Sequence, residues 1–251
     1  MEIDFLYALL LIVIGFIAGI INTLAGGGTN LTLPALMVMG MPADVANATN
    51  RVGVFLQNIV ALLGFKKHNM LPMDDAGPVL IPTLIGGVFG AIAAAYAPSE
   101  ILKPLLLGSM LTMTVIMLVK PNLIFPAEGE PSRRVKDTPS SWIWLWIAGF
   151  YGGFVQAGVG FILITALAGS LRYDLVRTNA LKVLCVAAFT SMALAVFIWQ
   201  DLIMWLPGLI LAAGAMVGAH VAVKFAMKAK ASTLKWFLFI MTLVGTVAAY
   251  L

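Results

Sequence analysis

From Phe5 to Leu24 the chain carries no charged residue, and the same holds from Gly77 to Ala97 and from Leu202 to Val223. Such runs approach the ~20 apolar residues that a helix needs to cross ~30 Å of hydrocarbon. A fourth, Leu234 to Leu251, is interrupted only by Lys235, so the pattern extends along the whole 251-residue chain. Composition agrees: 61% of residues are hydrophobic and 10% charged, and the mean hydropathy of +1.02 lies far outside the range of a water-soluble domain. No alternating strand pattern appears, so helices rather than a barrel are expected to satisfy the backbone. The fold class is therefore all-α, in an integral membrane protein.

The first run is preceded by Glu2 and Asp4 rather than by a basic region, and a counterpart recurs mid-chain, so it is expected to be retained as structure and not removed as a signal. A single cysteine, Cys185, excludes an intrachain disulfide framework, and its apolar surroundings point to packing. His68 and His220 are the only histidines, too few for a metal cluster. No Gly-x-x-x-x-Gly-Lys-Ser/Thr loop appears for ATP. No Ser/His/Asp set or paired intramembrane carboxylates appear either, so no enzyme activity and no cofactor are expected.

The chain is written twice. Gly15-Phe16 with Gly19 is matched by Gly149-Phe150 with Gly153, and Thr49-Asn50 by Thr178-Asn179. Further on, Gly86-x-x-x-Gly90-Ala91 answers to Gly214-x-x-x-Gly218-Ala219, and Leu102-Lys103 to Leu234-Lys235. These matches keep their order at an offset of about 130 residues, as a duplication requires. Each half reads as a long apolar run, a Gly-rich break, a short run (Leu31 to Gly40; Phe161 to Ser170) and three further helices. The division is 1–119, a charged and Pro-rich cytoplasmic linker at 120–141, and 142–251.

Charge sorting chooses the orientation. If the short runs do not turn back, basic residues divide almost evenly between the two sides. If each long-plus-short pair is a hairpin that enters and leaves on one face, Lys66, Lys67, Lys120, Arg133, Arg134 and Lys136 join Arg172, Arg177, Lys224, Lys228, Lys230 and Lys235 inside. Lys103 alone stays outside, which obeys the positive-inside bias. The halves are then inverted repeats, each a re-entrant hairpin followed by three transmembrane helices, with both termini outside the plasma membrane.

A hairpin that turns within the bilayer exposes backbone groups, tolerated only where they are buried in protein or line a polar cavity. In the first break Gly26, Gly27 and Gly28 permit the turn, Asn22 flanks it, and Thr29 or Asn30 can cap the short helix that follows. That helix start would offer free N–H groups to an anion. Gln156, Gly158 and Gly160 occupy the second break. Gly86/Gly90 and Gly214/Gly218 read instead as close-packing pairs. Two cations fall inside predicted helices: Arg51 in the run Asp44 to Phe65, after Thr49-Asn50, and Lys182 in Arg172 to Trp199, after Thr178-Asn179. No acidic residue lies deep in a predicted span, so the expected partner of each cation is an anionic substrate. The alternative is that each cation snorkels or bonds carbonyls at a helix bend.

The stretches "NTLAGGGTNLTLPAL" and "GMPADVANATNR", together with the repeated "RYDLVRTNALK", resemble the sulfite exporter TauE/SafE family of bacterial membrane permeases. The resemblance runs from about Phe5 to Leu251. It implies transport, usually outward, of small sulfur-containing anions such as sulfite, sulfoacetate or other sulfonates. The expected function is thus secondary transport of such an anion, with a passive anion channel as the rival. The expected partners are the anion and the lipid bilayer, with no nucleic acid; association into a homo-oligomer stays open.

Overall fold

The computed structural model describes residues 5–119 and 132–228. The apolar run at 234–251, most of the linker, and Lys120, Lys230 and Lys235 lie outside the described residues. Within them the chain is helical, with no strand. In the first half α1 (Phe5–Leu24), α2 (Thr29–Val38), α3 (Ala43–Lys67), α4 (Met73–Ala95) and α5 (Ser99–Val119) follow one another. The second half has α6 (Pro139–Phe154), α7 (Val159–Ile164) with a π-helical continuation at Thr165–Ser170, α8 (Leu175–Trp199) and α9 (Trp205–Lys228).

α1, α4, α8 and α9 are each long and apolar enough to cross a bilayer. α3 has the length, 25 residues, but buries Asn47, Thr49, Asn50, Arg51, Gln57 and Asn58. Its polarity faces protein rather than lipid. α2, at 10 residues, spans about 15 Å, half of a hydrocarbon core. At the described end of the linker, residues 132–134, 136 and 137 are exposed. Val135 is buried in a short 3₁₀ turn, α6 begins at Pro139, and Arg133 N–H donates to the Leu171 carbonyl at 2.8 Å. Arg172, expected inside a helix, lies before α8 with φ +62°, because Asp174 caps the helix start by accepting from the N–H groups of Val176 and Arg177.

Glycines set the direction in which helices lie together. A Cβ on Gly15 would meet the Leu211 carbonyl oxygen, on Gly19 that of Ala215, on Gly214 that of Ile12 and on Gly218 that of Phe16. Residue numbers rise together, so α1 and α9 run parallel at backbone contact. Gly86, Gly90, Gly149 and Gly153 meet the carbonyls of Trp146, Phe150, Thr83 and Gly87. This makes α4 and α6 a second parallel pair built on the matching glycines of the other half. Gly53 and Gly64 face Leu211 and Val223, so α3 is parallel to α9 and hence to α1. Two successive helices of one chain can be parallel only if the segment between them returns. α2 is that return.

α3 runs opposite to α8. Its start, Ala48 and Val52, clusters with Ala193 and Phe197 at the end of α8. Its end, Ala61 and Phe65, clusters with Leu175, Ala180 and Val183 at the start of α8.

The close pairs yield a stability prediction. Gly90→Ala and Gly218→Ala push a methyl into a neighbouring carbonyl, and overpacking of this kind costs typically about 1–3 kcal/mol. Gly77→Ala, where an added Cβ meets nothing within 4 Å, is expected to stay within about 0.5 kcal/mol of the parent. Thermal melts of the three variants in detergent check the ordering.

Candidate functional site

The two breaks meet. Gly26 takes φ +89°, a conformation that disfavours any side chain, and a Cβ there would run into the Cα of Gly160. Gly160 in turn faces the Gly26 backbone. In the second break Gln156 has φ +67° and Gly158 φ +76°. With Gly158 left-handed at its cap position, α7 can start almost at once after α6 stops at Phe154.

Each broken helix leaves its last carbonyls without intrahelical partners, and in each case a cation from the opposite half reaches them. Arg51, on α3, donates from Nη1 to the Gly152 carbonyl at 2.8 Å and from Nη2 to those of Gly153 at 2.7 Å and Phe154 at 3.4 Å. Its guanidinium also lies over the Phe197 ring, 5.2 Å from the centroid. Lys182, on α8, donates from Nζ to the Thr23 carbonyl in the last turn of α1 at 2.9 Å, and to Asn179 Oδ1 at 2.8 Å. Both side chains are fully buried. For Arg51, the expected bond to an anion is replaced here by the alternative, carbonyls at a helix break. The carbonyl end of a helix dipole carries about half a negative charge and so attracts a cation.

Beside the junction is a cavity of about 10 Å³, lined by Asn22, Gly26, Thr29, Val54, Asn58, Gln156, Val159, Gly160, Lys182 and Val186. Of the residues anticipated for a site, Asn22, Gly26, Thr29, Gln156, Gly160 and Lys182 come together there. Gly27, Gly28, Asn30, Thr49, Asn50, Arg51, Gly158, Thr178 and Asn179 do not line it. Gly27 is covered by the Phe161 ring and Gly28 packs on the Ala18 carbonyl. Thr49 Oγ1 accepts from the Met204 N–H at 3.0 Å, Thr32 Oγ1 donates to Asn50 Oδ1 at 2.6 Å, and Thr178 Oγ1 donates to the Tyr173 carbonyl at 3.2 Å. Asn179 stands behind the wall, holding Lys182.

The helix start also differs from expectation. Thr29 is the first residue of α2, and the cap position, Gly28, offers no side-chain cap. The N–H groups of Asn30 and Leu31 are taken by the carbonyls of Gly27 and Gly28 at 3.0 Å, and Asn22 Oδ1 accepts from the Gly28 N–H at 2.7 Å. What faces the cavity is therefore mostly side-chain chemistry. Asn22 has its NH₂ to offer, Thr29 its hydroxyl, and Lys182 a third N–H beyond the two in use. Gln156 Nε2 donates to Thr190 Oγ1 at 3.2 Å while its buried Oε1 has no partner. Turned end for end, the amide accepts from the Thr190 hydroxyl and presents NH₂ instead. Lys182 is the one ionisable residue in the lining, and no carboxylate is there to balance it.

Asn58 escaped the sequence reading, although a signal was present. It follows Arg51 by two helical turns and so shares its face of α3, four residues beyond Val54. Val54, Val159 and Val186 carried no such signal, being apolar residues among many.

An all-helical membrane protein whose interrupted helices meet at a polar, cation-bearing centre belongs to the class of solute carriers built on discontinuous helices. Residues 11–249 match the family described as Sulfite exporter TauE/SafE, and the chain belongs to that family. Among similar proteins, a probable membrane transporter protein of Sinorhizobium sp. is 25% identical over 93% of this chain and 88% of its own length. One of Escherichia coli is 28% identical, covering 82% and 76%. One of Methanocaldococcus jannaschii is 30% identical, covering 73% and 70%.

The clasp at Arg51 is testable. Arg51→Gln strands buried carbonyls, each worth about 1–3 kcal/mol when left unpaired, so its melting temperature is expected to fall sharply, and Arg51→Lys to fall less. An Arg51→Gln protein that melts like the parent but no longer binds an anion would return Arg51 to the substrate.

Proposed function

We propose that the protein is a secondary transporter that exports a small sulfur-containing anion, such as sulfite or an organosulfonate, across the plasma membrane. The observation that carries this reading is the cavity between the two breaks, where Lys182 is the one charge and Asn22 and Thr29, with Gln156 in its turned orientation, offer neutral donors. A tetrahedral or pyramidal oxyanion wants that set: several hydrogen bonds and one opposite charge. The family's name and the relatives described as membrane transporters support the class.

The halves, 1–119 and 142–251 about a cytoplasmic linker at 120–141, are read as inverted repeats. Support comes from the helix directions. α1, α3 and α9 run one way, while their counterparts α6, α8 and α4 run the other. A cavity of about 10 Å³ has room for little more than a water-sized group. Admitting an anion therefore requires the breaks to part, which favours alternating access over an open pore.

Binding is tested by thermal shift with sulfite, sulfoacetate, taurine and acetate. A ligand present at 100 times its Kd adds about 2.7 kcal/mol. The expected result is a shift with the sulfur anions that Lys182→Gln removes. A shift with acetate alone, or with none of the four, rejects the substrate class. Orientation is tested separately by cysteine labelling in intact cells. Asp201→Cys is expected to react with an impermeant reagent from outside and Lys228→Cys only after the membrane is opened.

A further inference from the structure

The two clasps look alike but differ in chemistry. Discontinuous helices in transporters hold a coupling Na⁺ or proton at their carbonyl ends. Here both carbonyl ends are already occupied by tethered side-chain cations, Arg51 at α6 and Lys182 at α1. Arg51 has three carbonyl acceptors, stands off the cavity and keeps its charge under all ordinary conditions. Lys182 has one carbonyl and one amide oxygen, stands on the cavity wall, and is of the residue type that gives up its proton when buried.

We propose, building on the reading of this cavity as the anion site, that Lys182 is the coupling group of the transporter. It crosses as an ammonium beside the bound anion and returns as a neutral amine when the site is empty. Nζ takes one proton from water on the side where the anion enters and gives it to water on the side where the anion leaves. Each monovalent anion thus moves with one proton.

Among the described residues no carboxylate faces Lys182, which leaves the anion as its counter-charge. α1 brings no ionisable side chain near Thr23; its Tyr7 lies at the far end of the helix. On α3, Arg51 is held by the α6 carbonyls, while Asp44 lies in the first turn and Lys66 and Lys67 in the last. α4 carries Asp74 and Asp75 in its first turn. On α6 the Tyr151 hydroxyl donates to the Ala157 carbonyl at 2.7 Å, and neither α7 nor its π-helical continuation has an ionisable group. α8 itself adds Cys185 and, at its exposed start, Arg177 paired with Asp174. An ammonium left in the closed site after the anion departs has no carboxylate to lean on, and a bare buried charge opposes closure. Losing the proton removes that obstacle.

The test uses the full-length protein in weakly buffered liposomes with a luminal pH dye, the membrane potential clamped by potassium and valinomycin. The probe is methanesulfonate, whose single charge, the sulfonate, stays ionised throughout. An outward gradient is expected to alkalinise the lumen, about one proton leaving with each anion. Anion efflux without luminal alkalinisation overturns the proposal.

Lys182→Arg keeps the charge but cannot shed it. The ratio of net efflux to exchange of labelled for unlabelled sulfonate is expected to fall more than tenfold below that of the parent. A ratio at the parental value overturns the assignment to Lys182. Absence of any sulfonate flux or thermal shift in the parent is a different result. It rejects the transport reading itself and, with it, this proposal.

Discussion

A helix that stops inside hydrocarbon leaves its last carbonyls pointing at nothing, and no water is there to satisfy them. In this protein α1 and α6 both stop among packed helices, and the unpaired carbonyls are met by a cation from the other half of the chain. Neither half can complete its own break. Arg51 of α3 closes α6, and Lys182 of α8 closes α1, so the halves are tied at the point where each is least stable alone. The exchange also offsets part of the cost of burying two cations without a carboxylate: the helix ends supply a partial negative potential, through three carbonyls at Arg51 and one at Lys182.

The rest of the packing serves that crossing. The contacts of Gly15, Gly19, Gly214 and Gly218 bring α1 against α9, and Gly86, Gly90, Gly149 and Gly153 do the same for α4 and α6. In each pair a helix of one half lies on a helix of the other. In a bilayer, where apolar contact with lipid is as good as contact with protein, close backbone approach of this kind is a main source of helix association. It also fixes depth. Sliding either pair by one residue would replace a glycine by a side chain at the carbonyl, so the breaks are held level, Gly26 against Gly160.

Functional chemistry is confined to what remains at that level. Most backbone N–H groups of the breaks are taken by local turns, and most buried polar side chains have partners within the protein. The donors left over face one small cavity whose single charge is Lys182. The unpartnered Gln156 Oε1 lies on the same wall.

Much of this was legible in the chain alone. Hydropathy dictates helices because a bilayer allows a lone segment no other way to satisfy its backbone. The ordered Gly matches anticipate the close helix pairs because packing at backbone contact needs small residues at those spacings. The sorting of Lys and Arg, a matter of charge and membrane alone, already called for a returning segment where α2 lies. The family, too, was readable from the first break and the Thr-Asn motifs. What the sequence could not decide is which buried polar group meets which. Arg51 and Lys182 look equivalent as cations one and three residues past an asparagine. Only the approach of α6 to α3 and of α1 to α8 turns Arg51 to carbonyls and leaves Lys182 on the cavity wall. Likewise Gly27 and Gly28 seemed as suited to a ligand as Gly26, until Phe161 and Ala18 were seen to cover them. Apart from the Ala18 contact, these outcomes depend on residues more than a hundred positions apart, and no local spacing encodes them.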